Sequence, residues 1–303
     1  MTTPNIKTAL VTGASRGIGR ATAQALAKDG IRILAHYGNS AKEANSLVSE
    51  IRDAGGQAET IQADLGLPDG PAALAMQVRA LAGDHLDILV SNAGISHAAL
   101  VEDHTVEQFD QLFATNVRSA FFVVQQLLPV LGEGSSVILV SSLASRAVPG
   151  NPGQTGAPSL PAYAATKGAI DTLVKHWASL FGGRGIRVNA VARGIIADQS
   201  PVPPGWEPQY RAAIPDPQWA QVSYILRLSY FLLTGGNDDR IQPWVQIGEA
   251  SVLDFPPVPV YVRSSTFIRV WKRKCLLSTF YLTNVIALFA SDSLWENVSS
   301  PPK

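Results

Sequence analysis

The stretch TGASRGIG, Thr12 to Gly19, stands between a short apolar run, Lys7 to Val11, and an Ala- and Leu-rich run, Arg20 to Lys28. Strand, glycine turn, helix is the context in which such glycines carry meaning. Gly13 lets the chain turn, Gly17 leaves room for a pyrophosphate against the backbone, and Gly19 allows the helix to pack closely on the sheet. The helix N-terminus then offers free N–H groups and partial positive charge to phosphates. The spacing is G-x-x-x-G-x-G rather than G-x-G-x-x-G. Alone it would also suit a tight turn with no ligand.

Beyond Lys28 the alternation of strand and helix repeats. Ile31 to His36 reads as a second strand, and Ser40 as the N-cap of a helix running to Ala54, closed by Gly55 and Gly56. Gln57 to Ala63 gives a third strand ending in Asp64 and Leu65, Asp69 to Ala82 a third helix, and Leu86 to Val90 a fourth strand running into SNAG, Ser91 to Gly94. Strands that are apolar almost throughout and alternate with helices imply an α/β fold, a doubly wound parallel sheet covered on both faces. Ligands of such sheets gather at the carboxyl ends of the strands, where TGASRGIG and SNAG both stand.

Thr105-Val106-Glu107-Gln108 has the form of a capping box and opens a long helix to about Leu131. Within it Asn116, a poor helix former, lies between Phe113 and Phe121. Val137 to Val140 is the fifth strand, with Ser141 and Ser142 at its end. Pro149 to Pro161 is a Pro/Gly loop on the ligand side, and Ile186 to Val191 is the sixth strand. Between them a helix begins near Tyr163 and carries Ile170, Leu173, Val174, Trp177 and Phe181 at core-facing spacing. Tyr163 and Lys167, four residues apart, share one face of it. Acid/base work by a phenol near neutral pH needs its pKa lowered by roughly 3 units, about 4 kcal/mol of charge stabilisation. Lys167 and a bound cationic nicotinamide would supply that.

The second strand ends in HYGNS, His36 to Ser40, with no carboxylate to bind an adenosine ribose or repel a 2′-phosphate, and Arg16 lies in the glycine turn nearby. Charge therefore favours NADP over NAD.

With these residues laid out, the first 200 resemble the short-chain dehydrogenase/reductase family, single-domain type with a Tyr-x-x-x-Lys pair. TGASRGIG, SNAG, the serine pair, YAATK and RVNAVARG occur in the family's order. The resemblance implies an oxidoreductase moving a hydride between NADP(H) and a small-molecule carbonyl or secondary alcohol. In it Tyr163 is the general acid/base, Lys167 holds the nicotinamide ribose, Ser142 binds the substrate oxygen, and Asn116 positions a water for proton resupply. The implied cofactor set includes Gly13, Ser15, Arg16, Gly17, Ile18 and Gly19 in the turn, and Asn39 and Ser40 after the second strand. Asp64 and Leu65 fall near the adenine; Asn92, Ala93 and Gly94 line the cleft; Gly194 and Ile196 come after the sixth strand, and Tyr163 and Lys167 serve both sets. A homo-oligomer paired through the helices carrying Asn116 and Tyr163 is implied as well.

The departures from the family are specific. The Ser142 to Tyr163 interval, 21 residues, is longer than usual, with the surplus in the Pro/Gly loop. The expected Pro-Gly after the sixth strand is Arg193-Gly194, and Asp198 stands where threonine is expected. Residues 1–200 thus read as the dinucleotide-binding catalytic core and 201–303 as a divergent segment. Within it 218–277 matches nothing in the family, 283–295 (TNVIALFASDSLW) reads as the family's late helix, and the last strand is missing. Residues 218–277 are either a substrate-covering insertion or non-coding sequence translated by a faulty gene model, with the gene-model account favoured. The alternative function is then an impaired NADP-binding protein or an unstable product.

Composition narrows the partners. Lys plus Arg and Asp plus Glu both number 24, which gives no reason to expect nucleic acid or a membrane surface. The single cysteine, Cys275, excludes an internal disulfide and fits a reducing, cytoplasmic compartment; no secretory signal is visible at the start. The uncharged run 275–291 contains Ser278, Thr279, Thr283 and Asn284 and is short for a membrane span, and the acceptor pattern at Asn297 reads as unused without a signal. The five histidines show no ligand spacing, so no metal is expected.

Overall fold

The computed structural model describes residues 6–145, 160–193 and 285–286. Its centre is one parallel sheet of seven strands in the order β3-β2-β1-β4-β5-β6-β7. The strands are β1 (Thr8–Val11), β2 (Arg32–Tyr37), β3 (Ala58–Gln62), β4 (Ile88–Ser91), β5 (Ser136–Ser142), β6 (Arg187–Arg193) and β7 (Val285–Ile286). The helices are α1 (Gly17–Lys28), α2 (Ala41–Asp53), α3 (Gly70–Ala82), α4 (Val106–Phe113), α5 (Ser119–Leu127) and α6 (Pro161–Gly182).

The apolar runs make strands because both faces of the sheet are covered. On one face Val11, Ile33 and Ala35 pack with Ala23 and Leu26 of α1 and Leu47 and Ile51 of α2. On the other, Leu10, Leu34 and Leu89 meet Leu74 of α3, Val123 and Leu127 of α5, and Ile170 and Val174 of α6. Leu10, Leu34, Leu74 and Leu127 are fully enclosed, so truncating any one to alanine would cost about 2–5 kcal/mol. The winding reverses between β1 and β4, which pair directly. That reversal opens a crevice beyond the strands' carboxyl ends.

One expectation is corrected. The long helix from Thr105 is not continuous. Thr105 and Gln108 do form the capping box, each side chain bonded to the other's backbone N–H at 3.2 Å. Then Ala114–Arg118 forms a π-turn between α4 and α5, with the Ser119 N–H bonded to the Ala114 carbonyl. The Ser119 hydroxyl also donates to the Thr115 carbonyl, and Asn116 directs its amide out of the helix to Ile95 and Thr166. Such turns widen a helix locally and recur at functional sites.

The far end of the sheet is formed by a short strand. Within 283–295 Val285 and Ile286 are strand, paired in parallel with Ala190 and Val191, and the other residues of that stretch lie outside the described residues. The sheet therefore continues beyond β6, where the sequence pattern leaves the last strand missing. An uncovered β6 edge presents unpaired backbone groups, and two β-branched residues suit that edge better than they suit a helix. Smaller differences lie at the ends of elements: α1 begins at Gly17 rather than Arg20, and β6 runs on to Arg193. Gly194, Ile196 and Asp198, most of the Pro/Gly loop, residues 218–277, Cys275 and Asn297 lie outside the described residues.

Candidate active site

The glycine turn is held from two sides. The Thr12 hydroxyl accepts the backbone N–H groups of Asn92 at 2.9 Å and Ala93 at 3.0 Å. The Asn92 amide donates back to the carbonyls of Thr12 at 2.9 Å and Gly13 at 3.2 Å. SNAG and TGASRGIG are thus one hydrogen-bonded unit across the β1–β4 crevice. From β2, His36 accepts the Gly13 N–H on Nδ1 at 3.1 Å, and its Nε2 donates to the Ala63 carbonyl at 3.0 Å. A carbonyl can only accept, so the ring is the neutral Nε2–H tautomer. Burial, opposed by the Ala63 carbonyl and by Asp64, lowers the His36 pKa to about 4. No local sequence signal singles out Thr12 or His36; in the sequence His36 marks only the absence of a carboxylate.

The turn fits a dinucleotide. Gly13 and Gly17 have φ of 65° and 61°, a region that L side chains avoid. A Cβ on Gly19 would stand 2.2 Å from the Gly13 carbonyl oxygen. The first turn of α1 has no side-chain cap: Arg16 occupies the N-cap with extended backbone and makes no capping bond. An uncapped helix start against a surface stripped of side chains suits a pyrophosphate. Ser15 is buried, while Arg16 and Asn39 are exposed. Ser40 is the N-cap residue of α2, as the sequence predicts, and its side chain makes no capping bond. The Asp64 carboxylate accepts the Gly66 N–H at 2.9 Å, and Leu65 is buried.

At the ends of β5 and β6 the reacting groups converge. Tyr163 and Lys167 are each only 5% exposed. The Lys167 ammonium stands 5.6 Å from the centre of the Tyr163 ring and donates to the Val140 carbonyl at 2.7 Å. The Ser142 hydroxyl is among the groups that lower the phenol's pKa, while Ser141 donates to the Lys167 carbonyl at 3.4 Å. From β6, Nη2 of Arg193 donates to the phenol oxygen at 3.3 Å. Burial resists ionisation of Tyr163, but Lys167, Arg193 and the Ser142 hydroxyl outweigh it and hold the phenol below its ordinary pKa. Burial chiefly, with Arg193 adding to it against Tyr163 and Asp171, lowers the Lys167 pKa.

Asn116 is 2% exposed and fully engaged. Its Oδ1 accepts the Ile95 N–H at 2.9 Å, and its Nδ2 donates to the Ile95 carbonyl at 2.9 Å and the Thr166 hydroxyl at 3.1 Å. The side chain ties the loop after SNAG to the second turn of α6. Gly94 lies against it, a Cβ there falling 3.1 Å from Asn116 Oδ1.

A doubly wound sheet with a glycine turn at the switch point and a Tyr-Lys pair on the far side of the crevice defines a dinucleotide-dependent oxidoreductase fold. The short chain dehydrogenase family model matches residues 7–202, and the chain belongs to that family. Versicolorin reductase of Emericella nidulans is 43% identical over 190 residues, 63% of this chain and 69% of that protein. Among solved structures, the landomycin C-6 ketoreductase with bound NADP and rabelomycin superposes with a TM-score of 0.64 at 33% identity, covering 75% of this chain and 88% of that one. A short chain dehydrogenase of Burkholderia cenocepacia in complex with NADP gives 0.68 at 32% identity, covering 77% and 93%.

Proposed function

We propose that Tyr163 protonates the oxygen of a substrate carbonyl as the carbonyl carbon receives a hydride, and takes the proton back in the reverse direction. The chain is an NADP-dependent reductase of the ketoreductase type. The glycine turn and SNAG would hold NADPH, whose reduced nicotinamide would supply the hydride. The observation that carries the roles is the phenol itself: buried, bonded by Arg193, and lowered in pKa by Lys167, Arg193 and the Ser142 hydroxyl. Since Arg193 donates to the phenol oxygen, the phenol's own proton is left for a substrate. Ser142 stabilises charge developing on the same oxygen, and Lys167 sets the acidity of the phenol. Asn116 holds the two sides of the crevice together. The cofactor preference rests on the HYGNS end of β2, joined to the glycine turn by the Ala14 N–H bond to the His36 carbonyl at 2.8 Å.

The test is Tyr163→Phe, which should cut turnover of a ketone by about a thousandfold or more while NADPH still binds. NADPH is followed by absorbance for turnover and by fluorescence for binding. Retained turnover would count against Tyr163 as the acid.

The homo-oligomer is proposed on the face of α4, α5 and α6. Phe113, Val117, Phe121, Phe122 and Leu173 line a groove there, and Phe109, Phe121 and Phe122 are 44%, 37% and 40% exposed. An aromatic patch of this kind on one face suits burial against a second copy. Sedimentation should find a species heavier than the 32.2 kDa chain. Among the described residues no helix is long and apolar enough to cross a membrane.

A further inference from the structure

Arg193 ends β6 in register with Ser142 on β5, so a guanidinium stands at the mouth of the site where the family's pattern has proline. It touches the phenol oxygen with one Nη2–H. Among the described residues it forms no ion pair. The side chain is part-exposed, and a guanidinium carries five donors in a planar fork, most of them beyond what Tyr163 uses. Two cations, Lys167 and Arg193, therefore bear on one phenol, and the charge of Arg193 is felt at both Tyr163 and Lys167.

We propose that Arg193 selects substrates whose reacting carbonyl is flanked by an anionic oxygen, a 2-oxo carboxylate or an ionised enol. A carbonyl oxygen accepting from Tyr163 lies beside the same guanidinium edge. A second oxygen two or three bonds further on meets the neighbouring N–H of the fork, the paired geometry in which guanidinium binds oxyanions best. The substrate's negative charge offsets the second cation. The reaction is unchanged: hydride adds to the carbonyl carbon, the C=O π electrons pass to oxygen, and that oxygen takes the Tyr163 proton.

This inference rests on the chain's acting as a reductase through Tyr163, and the experiment separates the two. Wild type, Arg193→Gln and Arg193→Lys are assayed with NADPH on phenylglyoxylate and on its methyl ester, which differ in the anionic oxygen. In Arg193→Gln the acid-to-ester ratio of kcat/KM should fall about tenfold or more, chiefly through the KM of the acid. Arg193→Lys keeps the charge without the fork and should show an intermediate fall. Added salt should raise the wild-type KM for the acid and leave that for the ester, a readout that stands even if a variant fails to fold. A ratio unchanged within about threefold in both variants, or acid and ester responding alike to salt, overturns the inference and leaves the reductase activity standing. Wild type that binds NADPH and reduces neither compound nor any other ketone removes both.

Discussion

The ammonium of Lys167 is anchored to the main-chain carbonyl of Val140 at 2.7 Å while it stands 5.6 Å from the centre of the Tyr163 ring. One bond fixes the cation to β5 and the helix fixes the phenol beside it, so charge reaches the acid without rearrangement. Reduction requires the phenol protonated, and its rate falls as pH rises through the Tyr163 pKa. That pKa is held below the ordinary value.

Replacing Lys167 by methionine removes the largest of the influences that lower it. The alkaline limb of kcat/KM should then move to higher pH, with kcat/KM at pH 7 falling by about a hundredfold or more. A pH–rate profile at saturating NADPH checks both. A limb that stays in place would show that Lys167 does not set the acidity of the phenol.

His36 ties stability to pH. Its folded pKa of about 4 lies below the ordinary value of 6.5, so the unfolded chain takes up the proton first. The neutral ring's contribution is complete above about pH 6.5 and is lost as pH falls toward 4, roughly 2 kcal/mol of it by pH 5. Urea unfolding at pH 7 and pH 5 should show this loss in the wild type and a correspondingly smaller one in His36→Asn. Equal losses would mean that His36 is not the group responsible.

Asn116 predicts a graded pair of variants. Asn116→Ala leaves the Ile95 N–H and carbonyl without their partner and should cost about 1–3 kcal/mol. Asn116→Asp keeps the acceptor for the N–H but turns a carboxylate oxygen toward the Ile95 carbonyl, and should cost more. Thermal melts rank the two, and an alanine variant as stable as wild type would remove Asn116 as the link between the SNAG loop and α6.

The π-turn around Asn116 shows why part of the fold is not legible in the sequence. From the residues alone, Thr105 to Leu131 reads as one helix, because the capping box and the apolar spacing are local signals. The interruption depends on Ile95, 21 positions away, and on Thr166, 50 positions away, which take the Asn116 amide. Val285 and Ile286 make a related point at the far edge, where their pairing with Ala190 and Val191 joins residues some 95 positions apart.

Near neighbours along the chain settle the alternation of strands and helices, the glycines that bend and thin the turn, and a tyrosine and lysine one helical turn apart. Tertiary structure alone decided which distant groups meet them. His36 reaches Gly13 from β2, Ser141 turns to the Lys167 carbonyl, and Arg193 arrives on the phenol oxygen from a strand 30 positions on. Periodicity places a residue on a face of its own element, whereas contacts across a sheet depend on strand order and register, and these emerge only when every strand has found its partner.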